Sequence, residues 1–65
     1  MNVGDRVQVY EPHSKRHGWL ATVTHTVEEA ESKKRYGGQC CYVRYDNDNS
    51  QELRACWSLI AVEAA

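Results

Sequence analysis

Residues 39–57, Gln39-Cys40-Cys41-Tyr42-Val43-Arg44-Tyr45-Asp46-Asn47-Asp48-Asn49-Ser50-Gln51-Glu52-Leu53-Arg54-Ala55-Cys56-Trp57, decide the fold. From 39 to 45 the pattern has period two: Cys41, Val43 and Tyr45 share one parity, and Cys40, Tyr42 and Arg44 the other. That alternation is the mark of a half-buried strand. Asp46-Asn47-Asp48-Asn49 is a tight-turn signature, because Asn and Asp tolerate positive φ and hydrogen-bond their own backbone. A partner strand is expected over Ser50 to Trp57, with Leu53 and Ala55 inward. The segment is a β-hairpin.

Upstream, Trp19 to Val27 puts Trp19, Ala21, Val23, His25 and Val27 on one face and Leu20 with three threonines on the other, which suits a half-exposed strand. Arg6-Val7-Gln8-Val9-Tyr10 repeats the period, with Val7 and Val9 facing the core and Gly4-Asp5 supplying a turn before it. Between these strands Glu11 to Gly18 is a polar loop broken by Pro12 and Gly18, with Lys15, Arg16 and His17 at its tip. Over Glu28 to Arg35 the β pattern lapses. Glu29/Lys33 and Glu31/Arg35 have the i,i+4 order that supports a short helix ended by Gly37-Gly38, and the same stretch also suits the tip of a long hairpin. Downstream, Ser58-Leu59-Ile60 is expected as a 3₁₀ turn and Ala61-Val62 as a closing strand. Five short strands in so short a chain imply an all-β, strongly bent sheet closed as a small barrel, which protects edges that nothing else covers.

With 65 residues there is one domain, 1–65, burying about 60% of its unfolded surface. The net charge of −1 singles out no partner class. No run of about 20 apolar residues is present to span a membrane, nor the apolar core of a signal peptide, so a cytoplasmic or, in a eukaryote, nuclear protein without membrane partners is expected. Three cysteines are an odd number, and adjacent Cys40 and Cys41 point to opposite faces of a strand, so reduced thiols are expected. Cysteine and histidine lack metal-ligand spacing, and His13 and His17 fall in a loop rather than on one helix face; neither metal nor cofactor is expected.

The order of Val-Gly-Asp-Arg-Val at 3–7, Trp19-Leu20-Ala21-Thr22-Val23, Tyr42-Val43-Arg44-Tyr45-Asp46 and Leu59-Ile60 resembles the Tudor family, one of the SH3-like barrels alongside chromo-barrel and Agenet modules. The resemblance covers nearly the whole chain outside 28–38. It implies a non-catalytic binding module in which an aromatic cage receives a methylated or otherwise cationic peptide side chain. By position, Tyr10, Trp19 and Tyr45 stand where that family often carries cage aromatics, and Asp46 or Asp48 where a cage anion is found. Glu52 stands where a further aromatic is common. A methylammonium over each aromatic face is worth about 0.5–2 kcal/mol.

The same rings have a second use, because a barrel without Phe needs Trp19, Trp57 and its tyrosines to fill its core and rim. By parity Trp19 and Tyr45 share faces with core residues, whereas Tyr10 is out of phase with Val9 and expected to be exposed. Tyr42, beside Arg44 on the outer face, suits a contact surface. Lys15, Arg16, Lys33, Lys34 and Arg35 form two basic loop clusters of the kind that contact phosphates, which makes nucleic acid an alternative partner. A Cys40 or Cys41 nucleophile beside His25 has no local signature, so no catalytic residue is assigned. The start of the chain also resembles the small barrel subunit of ferredoxin–thioredoxin reductase, and its layout the tetrameric type II dihydrofolate reductases, although Glu52-Leu53-Arg54-Ala55 replaces the active-site run of the latter. These resemblances imply an accessory or homo-oligomeric subunit docking another protein as the main alternative.

Overall fold

The computed structural model of the chain describes residues 2–27 and 39–62. Five strands follow one another as β1 Arg6–Val9, β2 Leu20–Thr26, β3 Cys40–Tyr45, β4 Gln51–Ala55 and β5 Leu59–Ala61, with a 3₁₀ turn at Cys56–Ser58 leading into the last. All pairings are antiparallel, and the sheet order is β4-β3-β2-β1-β5. The all-β class expected from the sequence is what the chain has: one antiparallel five-stranded sheet, open among the described residues because no ladder joins β4 to β5. The segment expected as short helix or loop, 28–38, lies outside the described residues. None of the described residues forms a helix long and apolar enough to cross a membrane.

The inward set is Val7, Val9, Ala21, Val23, Cys41, Val43, Tyr45 and Leu59, with Trp19 and Cys56 packed against it. Register explains the choice of sizes. Val7 lies opposite Ala21, and Ala21 opposite Tyr45, so the smallest side chain of the row sits between a valine and the largest buried one. Each fully buried valine contributes about 1.5–3 kcal/mol of apolar transfer.

Three departures from simple alternation shape the surface. First, β4 runs in the opposite parity to that expected: Tyr45 pairs backbone to backbone with Ser50 across a turn closed by Asn49 at φ 60°, which sets Val43 opposite Glu52, Cys41 opposite Arg54 and Tyr42 opposite Leu53. Glu52 and Arg54 therefore share the inner face with Val43 and Cys41, and Leu53 lies on the outer face with Tyr42; Ala55 is buried as expected. Second, a bulge falls between Val23 and His25, where two steps of β2 meet one of β3. It turns His25 outward to an edge-on contact with Tyr42, centroids 6.1 Å apart, instead of inward behind Val23. Third, the 3₁₀ turn begins at Cys56 rather than Ser58, which leaves Trp57 71% exposed rather than filling the core or its rim, and starts β5 at Leu59.

Candidate functional site

The loop between β1 and β2 folds as two successive turns, with the Ser14 N–H on the Glu11 carbonyl at 2.8 Å and the His17 N–H on the Ser14 carbonyl at 3.2 Å. Gly18, at φ 88°, then returns the chain so that its N–H reaches the Val9 carbonyl at 2.8 Å. A left-handed residue here favours glycine, which has no Cβ to strain. These turns carry Glu11, Ser14 and Arg16 over the end of the sheet where Trp19, Tyr45, Glu52 and Arg54 stand.

Arg54 is the pivot. Only 8% exposed, it donates from Nε to the Tyr45 hydroxyl at 2.6 Å, from Nη1 to Glu11 Oε2 at 2.9 Å and from Nη2 to Ser14 Oγ at 3.1 Å. Glu52 Oε1 lies 3.0 Å from the same Nε and accepts the Tyr45 hydroxyl proton at 2.6 Å. Burial opposes the Arg54 charge, but the bonds to Tyr45 and Glu11 outweigh it and raise its pKa above the ordinary value. Burial, helped by the bond to Glu52, likewise raises the Tyr45 phenol, with Arg54 pulling the other way. A buried cation whose donors are met by a phenol, two carboxylates and a hydroxyl is a satisfied one.

Beside this network a second cation lies on the aromatic pair. Trp19 and Tyr45 meet edge to face, centroids 5.4 Å apart and planes at 82°. The guanidinium carbon of Arg16 stands 5.5 Å from the Trp19 centroid and 5.2 Å from that of Tyr45, within the range of cation–π attraction. Its Nη1 is 3.6 Å from Glu52 Oε2, a loose ion pair, and its Nε is buried with no hydrogen-bond partner. Two rings and a carboxylate thus hold a cation supplied by the chain itself.

Of the residues singled out for a cage, Trp19 and Tyr45 come together. Tyr45 is fully covered, with Arg16 over its ring. Tyr10 stands outside the pair, 58% exposed, and packs edge-on against His17 at 5.3 Å, as its phase predicts. Asp46, just past the end of β3, is turned away from the pair, where Arg6 grips it through Nη1 and Nη2 at 2.9 and 2.5 Å. That grip holds the Asp46 carboxyl below its ordinary value. Asp48 is bonded to the Ser50 hydroxyl and amide at 2.6 and 3.0 Å. The anion of the cleft is instead Glu52, the position that lacks the aromatic common in Tudor modules. Of the basic clusters, Lys15 is exposed and Arg16 is turned inward, while Lys33, Lys34 and Arg35 lie outside the described residues.

Arg54, Glu11 and Ser14 were not singled out from the sequence. The available signal was the Glu52/Arg54 spacing of two on one strand, which places both charges on a single face. Of the thiols weighed as nucleophiles beside His25, Cys40 and Cys41 are both buried, Cys41 within the core cluster, while His25 faces out against Tyr42. Among the described residues no group of three or more His, Cys, Asp or Glu is placed to hold a metal ion. Comparison with protein-family models, curated proteins and solved structures finds no match to this chain.

Proposed function

We propose that the protein is a non-catalytic binding module on a small SH3-like, Tudor-type barrel, and that it receives a cationic peptide side chain, methylated lysine or arginine, in the cleft of Trp19, Tyr45 and Glu52. The observation that carries this function is the Arg16 guanidinium over both rings at 5.5 and 5.2 Å with a carboxylate at 3.6 Å: the cleft has the shape and charge to hold a cation. The barrel is supported by the order β4-β3-β2-β1-β5 and by the 3₁₀ turn that carries the chain from one edge strand to the other. A cytoplasmic or nuclear setting goes with it, since three thiols with no disulfide among them suit a reducing compartment.

Titration of the isotopically labelled protein with trimethyllysine, dimethylarginine and unmodified peptides tests the proposal by two-dimensional NMR. Saturable shifts centred on the Trp19 indole and Glu52 are expected with a methylated peptide. Their absence with every peptide sinks the cleft. A second interpretation has its own observation: Trp57 and Tyr10 leave 71% and 58% of their surface exposed, and such aromatics anchor protein interfaces. A mass that rises with concentration in light scattering, or a partner that shifts only these two, favours an accessory or oligomeric subunit. Shifts at Lys15 that fade as salt is raised favour nucleic acid.

A further inference from the structure

We propose that Arg16 is a side-chain gate, an intramolecular competitor that holds the Trp19–Tyr45 cleft closed and must swing out before a ligand cation is admitted. This rests on the cation-binding cleft proposed above and adds how access to it is controlled.

The gate is confined to one side chain because the backbone beneath it is fixed. The Arg16 N–H is bonded to Ser14 Oγ at 3.1 Å, and its carbonyl accepts the Trp19 N–H at 2.9 Å. Ser14 and Glu11 are in turn held by Arg54. Opening therefore needs rotation about the Arg16 side-chain bonds and no loop unfolding.

Arg16 also holds its seat weakly. Compared with Arg54, whose three nitrogens all have partners at 3.1 Å or less, Arg16 has one ion pair at 3.6 Å and a buried Nε with no acceptor. An unmet buried N–H works against the seated state. One-third of its side-chain surface already faces solvent, so a path outward exists.

The contrast fixes the preferred ligand. A quaternary ammonium has no N–H to satisfy, so it gains the two ring faces and the Glu52 charge without leaving an orphan donor behind. A primary ammonium or an unmodified guanidinium keeps that defect. The gate discriminates against cations no better suited than Arg16 itself.

The test compares wild type with Arg16→Gln, using a short glycine-flanked peptide carrying one trimethyllysine and following the indole resonance of Trp19. Displacing two partly exposed cation–π contacts and a loose ion pair should cost about tenfold in affinity, so Arg16→Gln should bind about tenfold tighter than wild type. Equal or weaker binding by Arg16→Gln, with Trp19 responding in both proteins, overturns the gate and leaves the cleft standing. No response in either protein overturns the cleft, and the gate with it. In wild type the Arg16 Nε resonance must move together with Trp19 as peptide is added. A Trp19 shift with Arg16 unmoved refutes the gate even if the variant folds poorly.

Discussion

Arg54 and Tyr45 are joined at 2.6 Å from Nε to the phenolic oxygen, across two strands that are neighbours in the sheet, and this bond ties the β1–β2 loop to the core. From the same guanidinium the chain secures Glu11 and Ser14, which lie 43 and 40 residues away in sequence. The loop's position over the cleft is therefore set by one buried side chain rather than by its own turns alone.

Arg54→Met should destabilise the fold by about 2 kcal/mol. Breaking a fully buried pair costs about 3–5 kcal/mol, and the value is discounted because Glu11 and Glu52 keep roughly a third of their side-chain surface in water. Urea unfolding gives the difference directly. Arg54→Lys should recover little, since an ammonium on a flexible stem cannot reproduce a planar fork that meets a phenol, a carboxylate and a hydroxyl at once. A near-neutral Arg54→Met would show that the network carries no stability.

Tyr45→Phe retains the ring in the core and removes the hydroxyl that bridges Arg54 and Glu52, which should cost about 1 kcal/mol. The loss should be non-additive with Arg54→Met, because both remove the same bond. A double-mutant cycle in urea measures that coupling, and strict additivity would contradict the network.

The pH profile of stability follows from the shifted groups. Tyr45 is raised, first by burial, and Cys41 is pushed up to about 12, first by burial and then by the neighbouring Cys56. A raised acid keeps its proton longer in the folded state, so its contribution is complete below the unfolded value and is lost as pH rises toward the folded one. Unfolding midpoints should thus decline on the alkaline side, from about pH 9 upward for Cys41. Asp46 and Asp48 are lowered, by bonds from Arg6 and Ser50 respectively, and act oppositely. Their contribution is complete above the ordinary carboxylate range and is lost as pH falls through their folded values. Asp46→Asn should flatten the acid limb and leave the alkaline limb unchanged; an unaltered acid limb would show that the Arg6 contact is not populated in solution.

How far the sequence carried depended on whether a property was local. Val7, Val9, Ala21, Val23 and Val43 were legible as core because alternation within one strand determines a face. The parity of β4 was not, because turn register decides it: Leu53 and Ala55 were the apolar choices, yet the turn ending at Asn49 puts Glu52 and Arg54 inward, where Tyr45, Glu11 and Ser14 satisfy them. A bulge leaves no mark in a run such as Thr22-Val23-Thr24-His25, so the outward turn of His25 was hidden as well. Trp19 and Tyr45 were singled out together with Tyr10, which stands apart from them; the cation over the two rings was hidden, since Arg16 sat in a polar loop and read as an outward basic residue.

Gly18→Ala should destabilise by about 1 kcal/mol. Beyond the adjoining residues no atom lies within 4 Å of the position a Cβ would take, so the cost comes from backbone strain at φ 88° and not from a clash. If the strain is relieved by shifting the turn, Arg16 moves off the rings and the Trp19 indole resonance shifts. Thermal unfolding and that resonance together distinguish strain retained from strain relieved, and an unchanged midpoint with an unchanged resonance would contradict the left-handed geometry.

Thiol labelling separates the three cysteines by burial and ionisation. Cys41 is 1% exposed, and with its thiol pushed up to about 12 only about one molecule in 10⁴ carries the reactive thiolate at pH 8. Cys56 is half-buried at the start of the 3₁₀ turn and reaches solvent, whereas Cys40 is 3% exposed. Iodoacetamide at pH 8 should therefore modify Cys56 first in the native protein, with Cys40 and Cys41 reacting only in step with unfolding, and all three reacting together in urea. Mass spectrometry of digested samples over time gives each rate. Cys41 reacting as fast as Cys56 under native conditions would mean that the inner face between β3 and the 3₁₀ turn is open to solvent, contrary to the packing that places Cys41 beside Val43 and Tyr45.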